Sequence, residues 1–277
     1  MNIVPKLGTE NASVPALITP YLGDTIEIQL SSYDRDERNW RGIVEAHNIK
    51  TVILHTPFGN HNLETTALSP ELLRETKAYL LRQLAYAEFH GLKIKVLFHV
   101  SMPVESLERL PVVEGVLQLL SVLEQNPRVT LLLENTIVNL DIGAHRLKSD
   151  SISYILERTP AEQVQVCFDL CHYLASKNAV QQEYLFRQEW LSRLFSVHFS
   201  ETRNNEGYKN FASTHGCRHA TAFGVARDLC TLLELGIDLS KVNLVAEITE
   251  RDYQVREDEA LELEWLHLFN TKGIQFG

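Results

Sequence analysis

Cysteine is scarce in this chain, with 4 among 277 residues. That is too few for a disulfide scaffold and suits a reducing compartment, so a cytosolic location is expected. Glycine (13) and proline (9) are also sparse, which excludes collagen-like and low-complexity chains. Long apolar runs are missing: Val129–Leu133 is short and Val112–Leu120 is interrupted, so no bilayer span is expected. The opening Met1-Asn2-Ile3-Val4-Pro5-Lys6 lacks the basic start and apolar stretch of a secretory signal. Basic charge is in deficit, 26 Lys and Arg against 36 Asp and Glu, a formal −10. Alone, that opposes a polyanionic partner such as nucleic acid, but the count omits bound metal, each ion adding about two positive charges.

What is present is alternation. Short aliphatic runs fall at Asn2–Leu7, Thr25–Leu30, Thr51–His55, Ile94–His99, Val129–Glu134, Val164–Asp169, Phe195–His198 and Asn243–Glu247. Several lack polar alternation, as expected of strands buried on both faces of a parallel sheet. Helical patterns lie between them: Glu37–His47, a segment from Ser69-Pro70 to His90 with Gly91 as terminator, Val112–Gln125, Ala144–Arg158, Val180–Leu191, Val225–Glu234 and Glu257–Phe269. Eight strands alternating with helices predict an α/β fold, a (β/α)₈ TIM barrel forming one domain over residues 1–277. No Gly-x-Gly-x-x-Gly follows the first strand, so dinucleotide binding has no support.

The strand ends carry the chemistry. Six successive runs finish in His55, His99, Glu134, Asp169, His198 and Glu247. In a barrel those positions converge on the C-terminal mouth, where such enzymes keep their sites. Crowded carboxylates there are hard to keep ionised without a cation, and imidazole plus carboxylate is a ligand set for zinc, manganese and similar ions. His172, three residues after Asp169, can reach the same mouth from the same loop. Cys167 and Cys171 flank Asp169 and read as core, Cys167 aimed away from Asp169's neighbours. The long polar segment Ser200–Ala222 offers Glu201, Arg203, His215, Cys217 and His219. Arg41 could meet phosphate or simply be surface charge.

At these residues the sequence resembles the endonuclease IV and xylose-isomerase-like TIM-barrel superfamily. The similarity runs through Leu131-Leu132-Leu133-Glu134-Asn135-Thr136, Val166-Cys167-Phe168-Asp169-Leu170-Cys171-His172, His55-Thr56-Pro57-Phe58 with Asn62-Leu63, Val96-Leu97-Phe98-His99, and His198-Phe199-Ser200-Glu201-Thr202-Arg203. The resemblance implies a first metal on His55, His99 and Glu134, with Glu134 bridging to a second on Asp169, His198 and Glu247. It implies a third on His172 with a seventh-loop His, for which His219 is the choice and His215 the reserve. Here the chain departs from the family: Cys217 and Ser213 stand where its Asp would be. Lys6-Leu7-Gly8-Thr9 likewise lacks the Gly-x-His-x-Ser of the DNA-repair members.

Two functions follow. The first is a metal-dependent hydrolase that cleaves a phosphodiester or phosphoester through a metal-bound hydroxide, with two or three zinc ions, on abasic-site DNA or a smaller phosphorylated substrate. The alternative is a sugar or sugar-phosphate isomerase or epimerase around one manganese or magnesium. In it Glu134 and Glu247 are the catalytic pair that moves a proton between adjacent carbons, and His172 and Arg203 hold substrate oxygens. A membrane is not expected as partner, and nothing in the sequence points to a protein partner.

Overall fold

A computed structural model of the chain describes residues 1–8, 13–33, 37–57, 61–100, 109–124, 126–136, 151–176, 186–200, 221–247 and 257–272. Eight parallel strands close into a barrel: β1 (Asn2–Gly8), β2 (Thr25–Gln29), β3 (Thr51–His55), β4 (Lys93–Val100), β5 (Val129–Asn135), β6 (Val164–Asp169), β7 (Leu194–Phe199) and β8 (Asn243–Ala246). Each pairs with its sequence neighbours, and β1 meets β8 through Val4 beside Val245. The expected (β/α)₈ architecture is the observed one.

Alternation along each strand splits the apolar residues between two cores. Outward side chains, among them Ile26, Val52, Leu54, Val96, Phe98, Leu131 and Leu244, pack beneath the helices. Val4, Ile53, Leu97, Leu132, Cys167 and Val245 form a separate plug inside the ring. Two residues on, and therefore on the same inward face, these six strands present Lys6, His55, His99, Glu134, Asp169 and Glu247. The plug is thus a dry floor and the next layer a ring of chemistry.

Helices α1 (Glu37–His47) and α3 (Pro70–His90) coincide with the sequence reading. Ser69 caps α3 by accepting from the Leu72 amide, and Gly91 ends it at φ 70°, the left-handed conformation that suits glycine. Between them α2 (Leu63–Leu68), capped by Asn62, was not expected; six residues are too few to show a period. Helix α4 (Arg109–Ser121) begins three residues before the predicted Val112, because Pro111 is tolerated in a first turn. The chain turns out of line by Glu124, which holds φ 46°.

Of the segment predicted from Ala144 to Arg158, residues 151–158 are described: helix α5 (Ser151–Leu156) and then a turn. The helix predicted over Val180–Leu191 is corrected: its described part begins only with a 3₁₀ turn at Gln188–Arg193. Helix α6 (Leu170–Ser176) follows β6 without a loop, and α7 (Ala222–Glu234) and α8 (Glu257–Lys272) complete the described shell. No helix among the described residues is long and apolar enough to cross a membrane.

Candidate metal centre

The ring above the plug draws a side chain from every strand. His55 and His99 close β3 and β4; Glu134, Asp169 and His198 stand near the ends of β5, β6 and β7; Glu247 follows β8, its amide donating to the Phe199 carbonyl at 2.8 Å. Lys6 enters from β1 and Glu27 from β2. Apart from His99, with its side chain 18% exposed, all are buried.

His198 is the hub. Its Nδ1 lies 3.2 Å from Glu134 Oε1, 2.5 Å from Glu247 Oε2 and 3.8 Å from Asp169 Oδ2. Its Nε2 lies 2.8 Å from Glu27 Oε2. On the other side of Glu134, Oε2 is 3.3 Å from His55 Nε2 and 3.5 Å from His99 Nε2. Two groups among the described residues therefore bring ligand atoms within 4.8 Å of one another and share Glu134: His55, His99 and Glu134, and Glu134, Asp169, His198 and Glu247.

The donor set fits a divalent cation. His55 Nδ1 is 3.0 Å from the Thr56 carbonyl, which can only accept, so that nitrogen carries the proton. The other ring nitrogen, Nε2, is turned toward Glu134 Oε2 at 3.3 Å. His172 is oriented the same way, Nδ1 donating to the Asn135 carbonyl at 2.7 Å. Such contacts are the usual means of fixing a ligating histidine. Burial pushes His99 down to about 3 despite Glu134, so that ring is neutral near pH 7, as metal binding requires. Burial, opposed by His172 but reinforced by Glu247 and Glu134, pushes Asp169 up to about 7. Glu134 behaves in the opposite way: despite its burial, His99 and His198 hold its carboxyl well below the usual carboxylate range.

Asn135 and Asp169 lock each other. The Asn135 side chain accepts from the Asp169 amide at 2.7 Å and donates to the Asp169 carbonyl at 3.0 Å. Asp169 Oδ1 accepts from the His172 amide at 2.5 Å, starting α6 and leaving Oδ2 for the site. Burial works against charge on Lys6, but Glu247, Glu27 and Glu134 outweigh it and keep the ammonium charged. It reaches Glu27 Oε1 at 3.0 Å and donates to Glu247 Oε1.

A family model described as a xylose isomerase-like TIM barrel matches residues 21–258. The chain belongs to that family. Among curated proteins, nothing matches its sequence significantly. Solved structures share the fold at low identity. A sugar phosphate isomerase/epimerase from Parabacteroides distasonis superimposes with TM-score 0.55 at 10% identity, over 98% of this chain and 95% of that one. D-allulose 3-epimerase from Methylomonas, in complex with D-allulose, gives 0.58 at 11%, over 99% and 98%. A Thermus thermophilus protein soaked with zinc chloride gives 0.60 at 20%, over 98% and 99%.

Within this xylose isomerase-like barrel, the six strand-end residues meet at one mouth. His172 joins them, 3.5 Å from Asp169 Oδ2 and 3.6 Å from Glu134 Oε1, but from the first turn of α6 and not from a loop. Cys167 is core, as expected, yet it shares the inward face with Asp169 instead of pointing away; burial pushes its thiol up to about 12, so it supplies no thiolate. Cys171 is buried against Ser200. Arg41 lies over the Tyr86 ring at 4.3 Å and pairs with Glu37 at 3.4 Å, which accounts for it structurally. Glu201, Arg203, His215, Cys217 and His219 lie outside the described residues.

Sequence reasoning missed Lys6, Glu27 and Asn135 as parts of the site. Lys6 was noticed only as a departure from the family's first strand. The signal for Glu27 was a charge between Ile26 and Ile28, the inward position of a strand buried on both faces.

Proposed function

We propose that this protein is a divalent-metal-dependent isomerase or epimerase of a sugar or sugar phosphate. The observation that carries the reading is the compact set of Glu134, Asp169, His198 and Glu247, with its two glutamates reaching one histidine nitrogen from strands β5 and β8. These four residues would hold the ion. When bound, it supplies a Lewis acid that acidifies the carbon next to a substrate carbonyl.

The chain's own groups do the rest. Glu134 and Glu247 approach the centre from different walls, so one can take a proton from carbon while the other returns one to the neighbouring atom or the opposite face. Lys6, anchored on Glu247, holds that carboxylate in place and stabilises its ionised form. His172, oriented by Asn135, offers a ring nitrogen to a sugar oxygen. The low-identity structures named for sugar isomerases and epimerases support this choice over phosphoester hydrolysis, the leading expectation from sequence.

A second reading retains that hydrolysis, because His55, His99 and Glu134 make a further ligand group beside the first. Proton exchange separates the two. Incubation with manganese and a panel of ketoses, aldoses and their phosphates in D₂O should place deuterium on carbon adjacent to the carbonyl, at about one ion per chain. Two zinc ions per chain, release of phosphate or nucleotide from phosphoesters, and no carbon-bound deuterium would overturn the isomerase reading.

A further inference from the structure

We propose that Glu27, held by Lys6, is a positioning residue that aims His198 Nδ1 at the metal position. The inference rests on the reading that Glu134, Asp169, His198 and Glu247 hold a divalent ion, and it deepens that reading by assigning work to two strands the ligand set does not use.

The geometry leaves His198 one useful orientation. Its Nε2 stands 2.8 Å from Glu27 Oε2, with both side chains fully buried. A carboxylate oxygen accepts, so Nε2 carries the hydrogen and donates it. Nδ1 faces Glu134, Asp169 and Glu247, hydrogen-bonded to Glu134 Oε1 at 3.2 Å in the ion-free chain, and is the nitrogen whose hydrogen an ion would replace. Were the ring to turn over about Cβ–Cγ, carbon would replace both nitrogens: Cδ2 would face the cage and Cε1 would face Glu27, leaving the ion without its imidazole ligand. Glu27 opposes that rotation with a charge-assisted hydrogen bond between two fully buried side chains.

Glu27 could instead be a ligand, since its carboxylate lies with His55 and His198 in a third compact group. The cation on that side is already part of the chain. Lys6 Nζ sits 3.0 Å from Glu27 Oε1, and the 2.8 Å spacing between Glu27 and His198 is that of a direct hydrogen bond. Lys6 also donates to Glu247. One ammonium therefore ties the carboxylate behind His198 to a carboxylate in front of it. The backbone amide of Lys6 donates to Glu259 Oε1 at 3.2 Å, which fixes the strand that delivers the ammonium.

The test is zinc affinity, by chelator competition, in the full chain and in Glu27→Ala, Glu27→Gln and Lys6→Met. Removing the outer partner of a ligating histidine costs about 10- to 100-fold in affinity. Glu27→Ala should fall in that range. Glu27→Gln, which keeps an acceptor for Nε2 but loses its charge toward Lys6, should lose less. Long-range ¹H–¹⁵N spectra of the zinc-loaded chain should show His198 bound through Nδ1 with hydrogen on Nε2. In Glu27→Ala the Nε2 hydrogen should exchange faster, while circular dichroism stays unchanged. Unaltered zinc affinity in Glu27→Ala, or coordination through Nε2, would overturn the positioning role and leave the metal reading standing. A wild-type chain that binds neither zinc nor manganese would overturn both. Should Glu27→Ala fail to fold, Glu27→Met, which fills the volume but offers Nε2 no carboxylate, decides: wild-type zinc affinity in that variant would refute the proposal, and a loss of about 10- to 100-fold would support it.

Discussion

His55 Nε2 faces Glu134 Oε2 at 3.3 Å, while Nδ1 of the same ring is engaged by the Thr56 carbonyl. The imidazole is thus fixed at one nitrogen by the backbone and turns the other to Glu134, with both side chains fully buried. The other oxygen of Glu134 lies 3.2 Å from His198 Nδ1. Glu134 therefore stands between the two ligand groups, one oxygen to each.

Glu134→Gln should separate charge from shape at this position. An amide fills the same volume but places one donor nitrogen among ligand atoms and removes the negative charge. Metal content after dialysis should fall well below that of the wild type, and proton exchange on sugar substrate should be lost. A folded variant with full metal occupancy would count against Glu134 as a shared ligand.

Asp169 sets a pH dependence whose sign depends on the ion. Its carboxyl is raised from 3.8 to about 7 in the fold. Between those values the folded chain holds more protons than the unfolded one at this group, so its contribution makes the ion-free protein less stable as pH rises from about 4 to 7. Asp169→Asn keeps the oxygen that starts α6 and removes the titration. In EDTA the variant should gain in melting temperature relative to wild type across that interval. With zinc the order should reverse and the wild-type advantage should grow toward pH 7.5, since bound ligands must be deprotonated. Parallel melting curves for the two chains at all pH values would refute this account.

Lys95 makes an independent pH test outside the candidate ligand groups. Its ammonium lies inside the barrel, donating to Thr130 Oγ1 at 3.0 Å and Gln165 Oε1 at 2.9 Å, over the Phe195 ring at 4.7 Å. Burial, with Lys93 adding, pushes it from 10.5 down to about 8. The unfolded chain then binds more protons between about 8 and 10.5, and this group's contribution to stability rises with pH through that window. Lys95→Met should remove that rise, so the variant should lead wild type most at pH 7 and lose ground by pH 10. Melting curves of both chains over that range provide the check.

Gly115 tests packing alone. A methyl group there would come within 2.5 Å of Ala67 Cβ and 2.7 Å of the Ala67 carbonyl, where α4 crosses α2. Relief requires moving backbone, so Gly115→Ala should destabilise by about 1–3 kcal/mol despite the better helix propensity of alanine. Urea denaturation would reveal it, and an unchanged midpoint would mean the two helices can part at little cost.

The barrel was legible because both its faces are dry. Aliphatic runs marked every strand, and the residue that ended each run gave six members of the ring. Their mutual distances were not legible, because they depend on the stagger between strands. The same stagger hid Lys6 and Glu27: each sits inside its run and not at the end, so a search for polar strand ends passes over them. Helices α2 and α6 were too short to show a period, and α6 is started by Asp169 itself, a residue already assigned to chemistry. Arg203 and His219, the remaining candidates, fall outside the described residues.

Lys6 on β1 donates to Glu247 beyond β8, across 241 residues of sequence. That contact imposes an order in time. A chain emerging from the ribosome presents His55, His99, Glu134 and Asp169 long before His198 and Glu247 exist. Those four residues can meet metal as a loose, incomplete chelate, without the histidine that links the carboxylates. Only when the last strand docks against the first does the cage acquire its full set. If the cage holds an ion as proposed, tight retention would await that docking, and the slow phase of ion uptake should coincide with ring closure.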